Sequence, residues 1–153
     1  MEEKEKFKQN ILINAEHGKY NVDIKMIEII NLSEAEYVTC MVEAASAAAR
    51  YGWYNCVIKF AEQANLSEPE YVKLMELCAI NASRFSRYDC AMKASKKVYM
   101  SKSKYSSLMR ECAFNAIKNN RYKWAMKFAK EAGPNVEMAI TLEKQKIDAT
   151  HEN

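Results

Sequence analysis

An all-α protein built from repeated helix pairs is the fold that this sequence predicts, and three observations carry the prediction. The chain of 153 residues is 49% hydrophobic and 28% charged, ordinary values for a globular protein with a real core, yet it holds only three Gly and two Pro. Those are too few turn residues for a many-stranded β protein. Its apolar residues recur at helical spacing: Met41, Ala44, Ala45 and Ala48 fall at i, i+3, i+4 and i+7, and Val57, Ile58, Ala61 and Ala64 share one face in the same way. Finally, the chain matches itself at a constant 34-residue offset without a gap. The columns include Tyr20, Tyr54, Tyr88 and Tyr122; Tyr37, Tyr71 and Tyr105; Ser33, Ser67 and Ser101; Met41, Met75 and Met109; Ala45, Ala79 and Ala113; and Ala48, Ala82 and Ala116. A period of this length marks a solenoid, in which each unit buries its apolar face against the next.

The units run over about residues 1–33, 34–67, 68–101 and 102–133, each of them two helices. First helices of the second and third units open at Ser33-Glu34-Ala35-Glu36 and Ser67-Glu68-Pro69-Glu70. There the Ser hydroxyl accepts from a free backbone N–H and the Glu reaches back to the Ser backbone. Pro69 sits early enough to remove no helical hydrogen bond. The turns inside the units lie at His17-Gly18-Lys19, Tyr51-Gly52-Trp53, Phe85-Ser86-Arg87 and Asn119-Asn120-Arg121. A left-handed residue fits their centre, and Gly or Asn supplies it easily. Ser86 is the poorest match, so the third turn is expected to be strained or differently shaped. After Gly133-Pro134 the pattern breaks. A closing helix over about 135–148, with Val136, Ala139, Ile140 and Ile147 on one side, is expected to cover the end of the stack, leaving 149–153 as a polar tail and 1–148 as a single domain.

The columns of Ala45, Gly52, Tyr54, Ala64 and Pro69, with Ala91 and Ala125 at the start of later second helices, resemble the tetratricopeptide family. Its unit of roughly 34 residues carries the pattern W-x2-L-G-x2-Y followed by A, F and P. Tyr54 takes the tyrosine that opens the family's second helix, Gly52 the turn glycine, Ala45 the small residue of the first helix, Ala64 the later alanine and Pro69 the proline between units. Met41, Met75 and Met109 stand where the family has Trp, Phe7 stands there in the first unit, and Asp23 falls where a small apolar residue belongs. The resemblance covers residues 34–133 best. The 35-residue pentatricopeptide family fits less well, because the offset here is one residue shorter and needs no insertions. The resemblance implies a right-handed α–α superhelix acting as a protein-interaction adaptor, scaffold or inhibitor.

Catalysis finds little to work with. His17 sits in a turn and His151 near the polar end, neither with an evident partner, and no phosphate-cradling glycine loop or metal-binding helix motif occurs. The expectation is a chain that is no enzyme and needs no cofactor or metal. The five cysteines are an odd number without a C-x-x-C pair, so reduced thiols in a cytoplasmic setting are expected. Cys56 with Cys90, and Cys78 with Cys112, recur one period apart, which suits a recurring packing slot better than a zinc site with short ligand spacing. Tyr37, Tyr71, Tyr105, Trp53, Phe60, Trp124 and Phe128 are read as packing between units. A base-stacking surface would need such rings exposed beside cations. The start MEEKEKFKQN alternates charge, and no run is long and apolar enough for a signal peptide or a membrane span.

In a tetratricopeptide-like stack the first helices line a concave groove. Its positions here are Leu12, Val42, Glu43, Arg50, Lys73, Leu77, Ile80, Arg84, Arg110, Phe114 and Lys118, with Glu16, Ser46, Glu76 and Glu111 among them. Apolar Leu12, Val42, Leu77, Ile80 and Phe114 beside a basic row of Arg50, Arg84 and Lys118 suit a peptide or helix bearing apolar anchors and acidic groups. The clamp with which some family members hold a chaperone's C-terminal carboxylate is not reproduced, because Leu12 and Glu43 stand where it needs asparagines. Charge is the second handle. Residues 77–130 carry 13 Lys or Arg against Asp89 and Glu111, a net of +11, whereas residues 1–76 carry 8 against 13, a net of −5. Lys93, Lys96, Lys97, Arg121, Lys123, Lys127 and Lys130 belong to second helices, on the convex side of such a stack. This face reads as solvated surface, as a site for an acidic protein or for the acidic half of another copy, or as a nonspecific nucleic-acid surface.

Overall fold

The computed structural model describes residues 2–22 and 24–152. Among them lie nine α-helices: α1 (Glu3–Glu16), α2 (Ile24–Ile29), α3 (Glu34–Arg50), α4 (Tyr54–Ala64), α5 (Glu68–Arg84), α6 (Tyr88–Lys97), α7 (Lys102–Lys118), α8 (Tyr122–Ala132) and α9 (Pro134–Glu152). The longest tertiary seams join α3 to α4, α5 to α6 and α7 to α8, so helix-turn-helix pairs repeat along the chain. The starts of α3, α5 and α7 fall one period apart, as do those of α4, α6 and α8.

The predicted caps form. Glu36 N–H donates to Ser33 Oγ at 3.1 Å while Ser33 N–H donates to Glu36 Oε1 at 3.3 Å, and Ser67 with Glu70 repeats the exchange. These bonds hold both carboxyls below the usual carboxylate range, the Ser33 backbone bond leading at Glu36 and the Ser67 hydroxyl bond at Glu70. Ser101 caps α7 through Lys104 N–H at 3.2 Å, without a returning acid.

The four turns share one geometry. Gly18, Gly52, Ser86 and Asn120 have φ of 73°, 70°, 64° and 59°. After each, the next backbone N–H returns to a carbonyl in the last turn of the first helix, as Trp53 does to Ala48 at 3.1 Å and Arg87 to Ala82 at 2.8 Å. The third turn therefore keeps the common shape and carries the strain of a left-handed serine. At Gly52 a Cβ would stand 2.4 Å from Ala82 Cα, so the turn also presses against the neighbouring helix.

Small residues make the seams. Ala44, Ala45 and Ala48 on α3, Cys78, Ala79 and Ala82 on α5, and Cys112, Ala113 and Ala116 on α7 are all within 1% of full burial. Met41, Met75 and Met109, the residues standing in for Trp, are wholly buried, and their flexible thioethers fill the same slot in each unit. Buried Ser83 and Ser95 satisfy their hydroxyls on the carbonyls of Ile80 and Ala91 at 2.7 and 2.6 Å.

The first unit departs from the register. Its second helix is expected at Tyr20, yet α2 begins at Ile24 and spans six residues. The columns that hold Ala44, Ala45 and Ala48 in α3 hold Asn10, Ile11 and Asn14 in α1. A branched chain and two amides keep a helix from closing there, since burying an unpaired amide is costly. Instead a cavity of about 540 Å³ opens between α1 and residues Asn21, Val22 and Met26. Asp23, the other sequence departure in this unit, lies outside the described residues. At the far end, Gly133 at φ 127° ends α8 and Pro134 starts α9. Ile140 is wholly buried, and Val136 and Ile147 pack on the core as predicted. α9 continues through residues expected to form a polar tail, helped by the Lys144 to Asp148 contact at 2.7 Å, one turn apart. No helix among the described residues is long and apolar enough to cross a membrane.

Candidate partner-binding surface

The successive first helices α1, α3, α5 and α7 touch one another directly. Because their Met, Ala and Cys columns turn inward, the columns one step around each helix face outward: Val42 with Arg110, Glu43 with Leu77, and Arg50 with Arg84 and Lys118. Val42, Lys73 and Leu77 meet in one open cleft of about 230 Å³, whose other walls are Ser46, Leu66, Glu70 and Leu74. Leu77 is 37% exposed at its rim. Ile80 and Phe114 are half-buried, and the Arg110 guanidinium lies 5.7 Å from the Phe114 ring centre. Leu12 packs half-buried against the core from α1.

The basic row occupies the last turns of α3, α5 and α7, where a cation also meets the negative end of the helix dipole. Arg84 is tied, with one nitrogen 3.3 Å from Asn81 Oδ1 and another 4.0 Å from Glu111 Oε1. Arg50 and Lys118 are exposed, as is Glu43. Glu76 is held by Lys104 at 2.9 Å. Arg84, Glu111 and Glu76 are thus held in ion pairs between helices, and a group of exposed apolar side chains centres on α5.

That centre contains residues the sequence reading passed over. Tyr51, Phe85 and Tyr99 are 39%, 48% and 88% exposed and flank the two ends of α5. Tyr51 and Phe85 stack at 5.9 Å between centroids. The Arg87 guanidinium sits 3.5 Å over the Trp53 ring and donates to Tyr51 O at 2.7 Å. The signal was available: residues 51 and 85 are one period apart, and Tyr99 interrupts a column whose other members are Asn31, Asn65 and Gly133, all at positive φ.

On the second helices Lys93, Lys96, Lys97, Lys123, Lys127 and Lys130 are all exposed, as is Arg121, which the sequence placed in a second helix and which stands just before α8 as its N-cap. Helices α6 and α8 are neighbours, because Tyr88 stacks on Trp124 at 5.7 Å and Lys96 pairs with Glu131 at 2.9 Å. The hydrogen bond that Lys96 donates to Glu131, with that carboxylate's charge, raises the ammonium pKa. Lys127 lies 4.4 Å over the Trp124 ring.

The cysteines take packing slots. Cys40, Cys56, Cys78 and Cys112 are buried and Cys90 half-buried, all as free thiols. Burial pushes Cys40 and Cys56 up to about 11 and Cys78 and Cys112 up to about 12, so none of these four is a ready thiolate nucleophile. Tyr37, Tyr71 and Tyr105 pack half-buried on the core, and burial raises their phenols. Trp53 fixes the first unit to the second by donating from Nε1 to Glu16 O at 2.9 Å.

Comparisons with protein-family models, with curated proteins and with solved structures returned no match.

Proposed function

We propose that this chain is a non-catalytic protein-interaction module, a right-handed tetratricopeptide-like solenoid in one domain, which holds a peptide or helix bearing acidic and apolar groups against its first helices. The observation that carries the reading is the gathering of exposed apolar side chains around α5, with Tyr99 at one end, Leu77 at the middle and the Phe85–Tyr51 pair at the other. Exposed aromatics beside arginines are the composition of interface anchors. The seams between successive first helices are more extensive than those between successive second helices, which favours curvature toward the first-helix side and a groove there. Seventeen residues of α5 span about 25 Å, enough for roughly seven residues of extended peptide. A rigid stack leaves most of the ordering cost with the ligand.

The test is selection of a peptide library on the full chain, followed by the selected peptides titrated against Leu77→Glu and Arg84→Glu. Selected sequences rich in apolar and acidic residues, at least tenfold weaker binding to each variant and unchanged melting curves support the groove. Peptides that bind both variants as well as the parent would rule it out. A second reading is nonspecific nucleic-acid binding by the basic half, favoured by the cations shared across adjacent α6 and α8. It predicts salt-sensitive binding that is lost on charge reversal at Lys93, Lys97, Lys123 and Lys127 and indifferent to Leu77→Glu.

A further inference from the structure

Repeated packing environments select repeated residues, so a position where one unit breaks its column invites another explanation. At the start of the second helices, one column runs Asn55, Asp89, Lys123 and the next Cys56, Cys90, Trp124. Only the last unit places an indole and an added cation there. Around them a cavity of about 530 Å³ is lined by Asn120, Arg121, Tyr122, Lys123, Trp124 and Lys127, within the size range of small-ligand sites. Three of those six side chains are cationic and none is acidic. No carboxylate among the described residues pairs with Arg121, Lys123 or Lys127, whereas Lys96, Lys104 and Lys144 each hold one. Two acids of α8 and α9 are already engaged, Asp148 by Lys144 and Glu131 by Lys96.

The indole is held in place rather than loose. Tyr88 stacks on it at 5.7 Å with planes 26° apart, and Phe128 packs against it at 5.8 Å. The Lys127 ammonium over its ring is on a flexible, exposed side chain that a ligand can displace. A fixed aromatic plane within reach of several unpaired cations suits a ligand that is flat and anionic at once. An acidic peptide supplies charge without a plane, and inorganic phosphate supplies charge alone.

We infer that this cavity binds a nucleoside phosphate, with its base against Trp124 and its phosphate among Arg121, Lys123 and Lys127. The ligand is a free nucleotide or one unit of a single strand, which present the same chemistry. The site is separate from the groove on α5, and its failure or success leaves that reading untouched.

Calorimetric titration of the full chain with AMP, GMP, CMP and UMP singly, then with adenosine, inorganic phosphate, an eight-residue oligoadenylate and an oligoglutamate, tests the proposal. At least one nucleotide should bind at one site, tenfold or more tighter than either adenosine or phosphate. Lys123→Glu with Lys127→Glu should weaken it at least tenfold without changing the circular dichroism melt, since both side chains are exposed. Trp124→Phe, which keeps a ring over Tyr88, should weaken it severalfold while phosphate binding stays the same. An oligoadenylate tighter than AMP identifies the strand as the source, and equal affinities identify the free nucleotide. The proposal fails if no nucleotide exceeds phosphate, if oligoglutamate binds as tightly, or if the double charge reversal leaves affinity intact.

Discussion

The first unit and the three that follow it share a 34-residue template, yet only the latter close their helix pairs. Between α3 and α4, α5 and α6, and α7 and α8, alanines and cysteines let backbones approach, and the second helices run 10 or 11 residues. In the first unit Asn10, Ile11 and Asn14 occupy those columns and α2 is shortened to six. A repeat therefore propagates through the small side chains of its seam more than through its most visible residue, because Tyr20 keeps its column while the helix it should open starts four residues later. Tyr20 still packs edge-on against Phe60 of the second unit at 4.8 Å.

Four measurements break or sharpen this contrast. The largest effect is expected at high pH, because every cysteine lies in the regular units and none in the first. An unfolded thiol titrates near 9, whereas Cys78 and Cys112 are held at about 12 when folded. Above pH 9 the unfolded chain thus sheds protons that the folded chain retains. Stability is complete below pH 9 and falls as pH rises toward 12. Thermal melts from pH 7.5 to 11 should fall steeply, and Cys78→Ala with Cys112→Ala should flatten the slope. Next, Ala79→Trp should overpack the α5 seam and destabilise by about 3 kcal/mol or more. An unchanged melting temperature would mean that the repeat register is wrong.

Gly52→Ala should cost about 2 kcal/mol, from left-handed strain together with the collision against Ala82 backbone. Gly18→Ala, whose Cβ would stand 2.7 Å from the Trp53 ring, should cost less, about 1.5 kcal/mol, because an indole held by Glu16 O and Arg87 must tilt by tenths of an ångström but no helix backbone has to move. Equal losses in denaturant titrations would remove this difference between the two units. The smallest effect is a gain: Ser86→Gly should stabilise by about 1 kcal/mol by relieving the φ of 64°.

Much of the fold was legible because its causes are local and periodic. The Ser33 and Ser67 boxes, the left-handed turns and the buried Met and Ala columns each rest on residues a few positions apart, repeated one period later. The candidate surface was legible only in part. Val42, Lys73 and Leu77 do share a cleft, but the pairing of Arg84 with Glu111 and of Glu76 with Lys104 spans neighbouring helices. Side-chain reach across a seam is not written in spacing alone.

By itself, then, the sequence determined the helix pairs, their 34-residue register, their caps and turns, and the residues that face inward, since backbone sterics and apolar periodicity act within a single unit. Only the tertiary structure decided that α2 would shorten, that α9 would run through the expected tail, and that Tyr51, Phe85 and Tyr99 would remain in water around α5. Those outcomes depend on what each side chain meets on the neighbouring helix, and on whether a small residue or a large or polar one is waiting there.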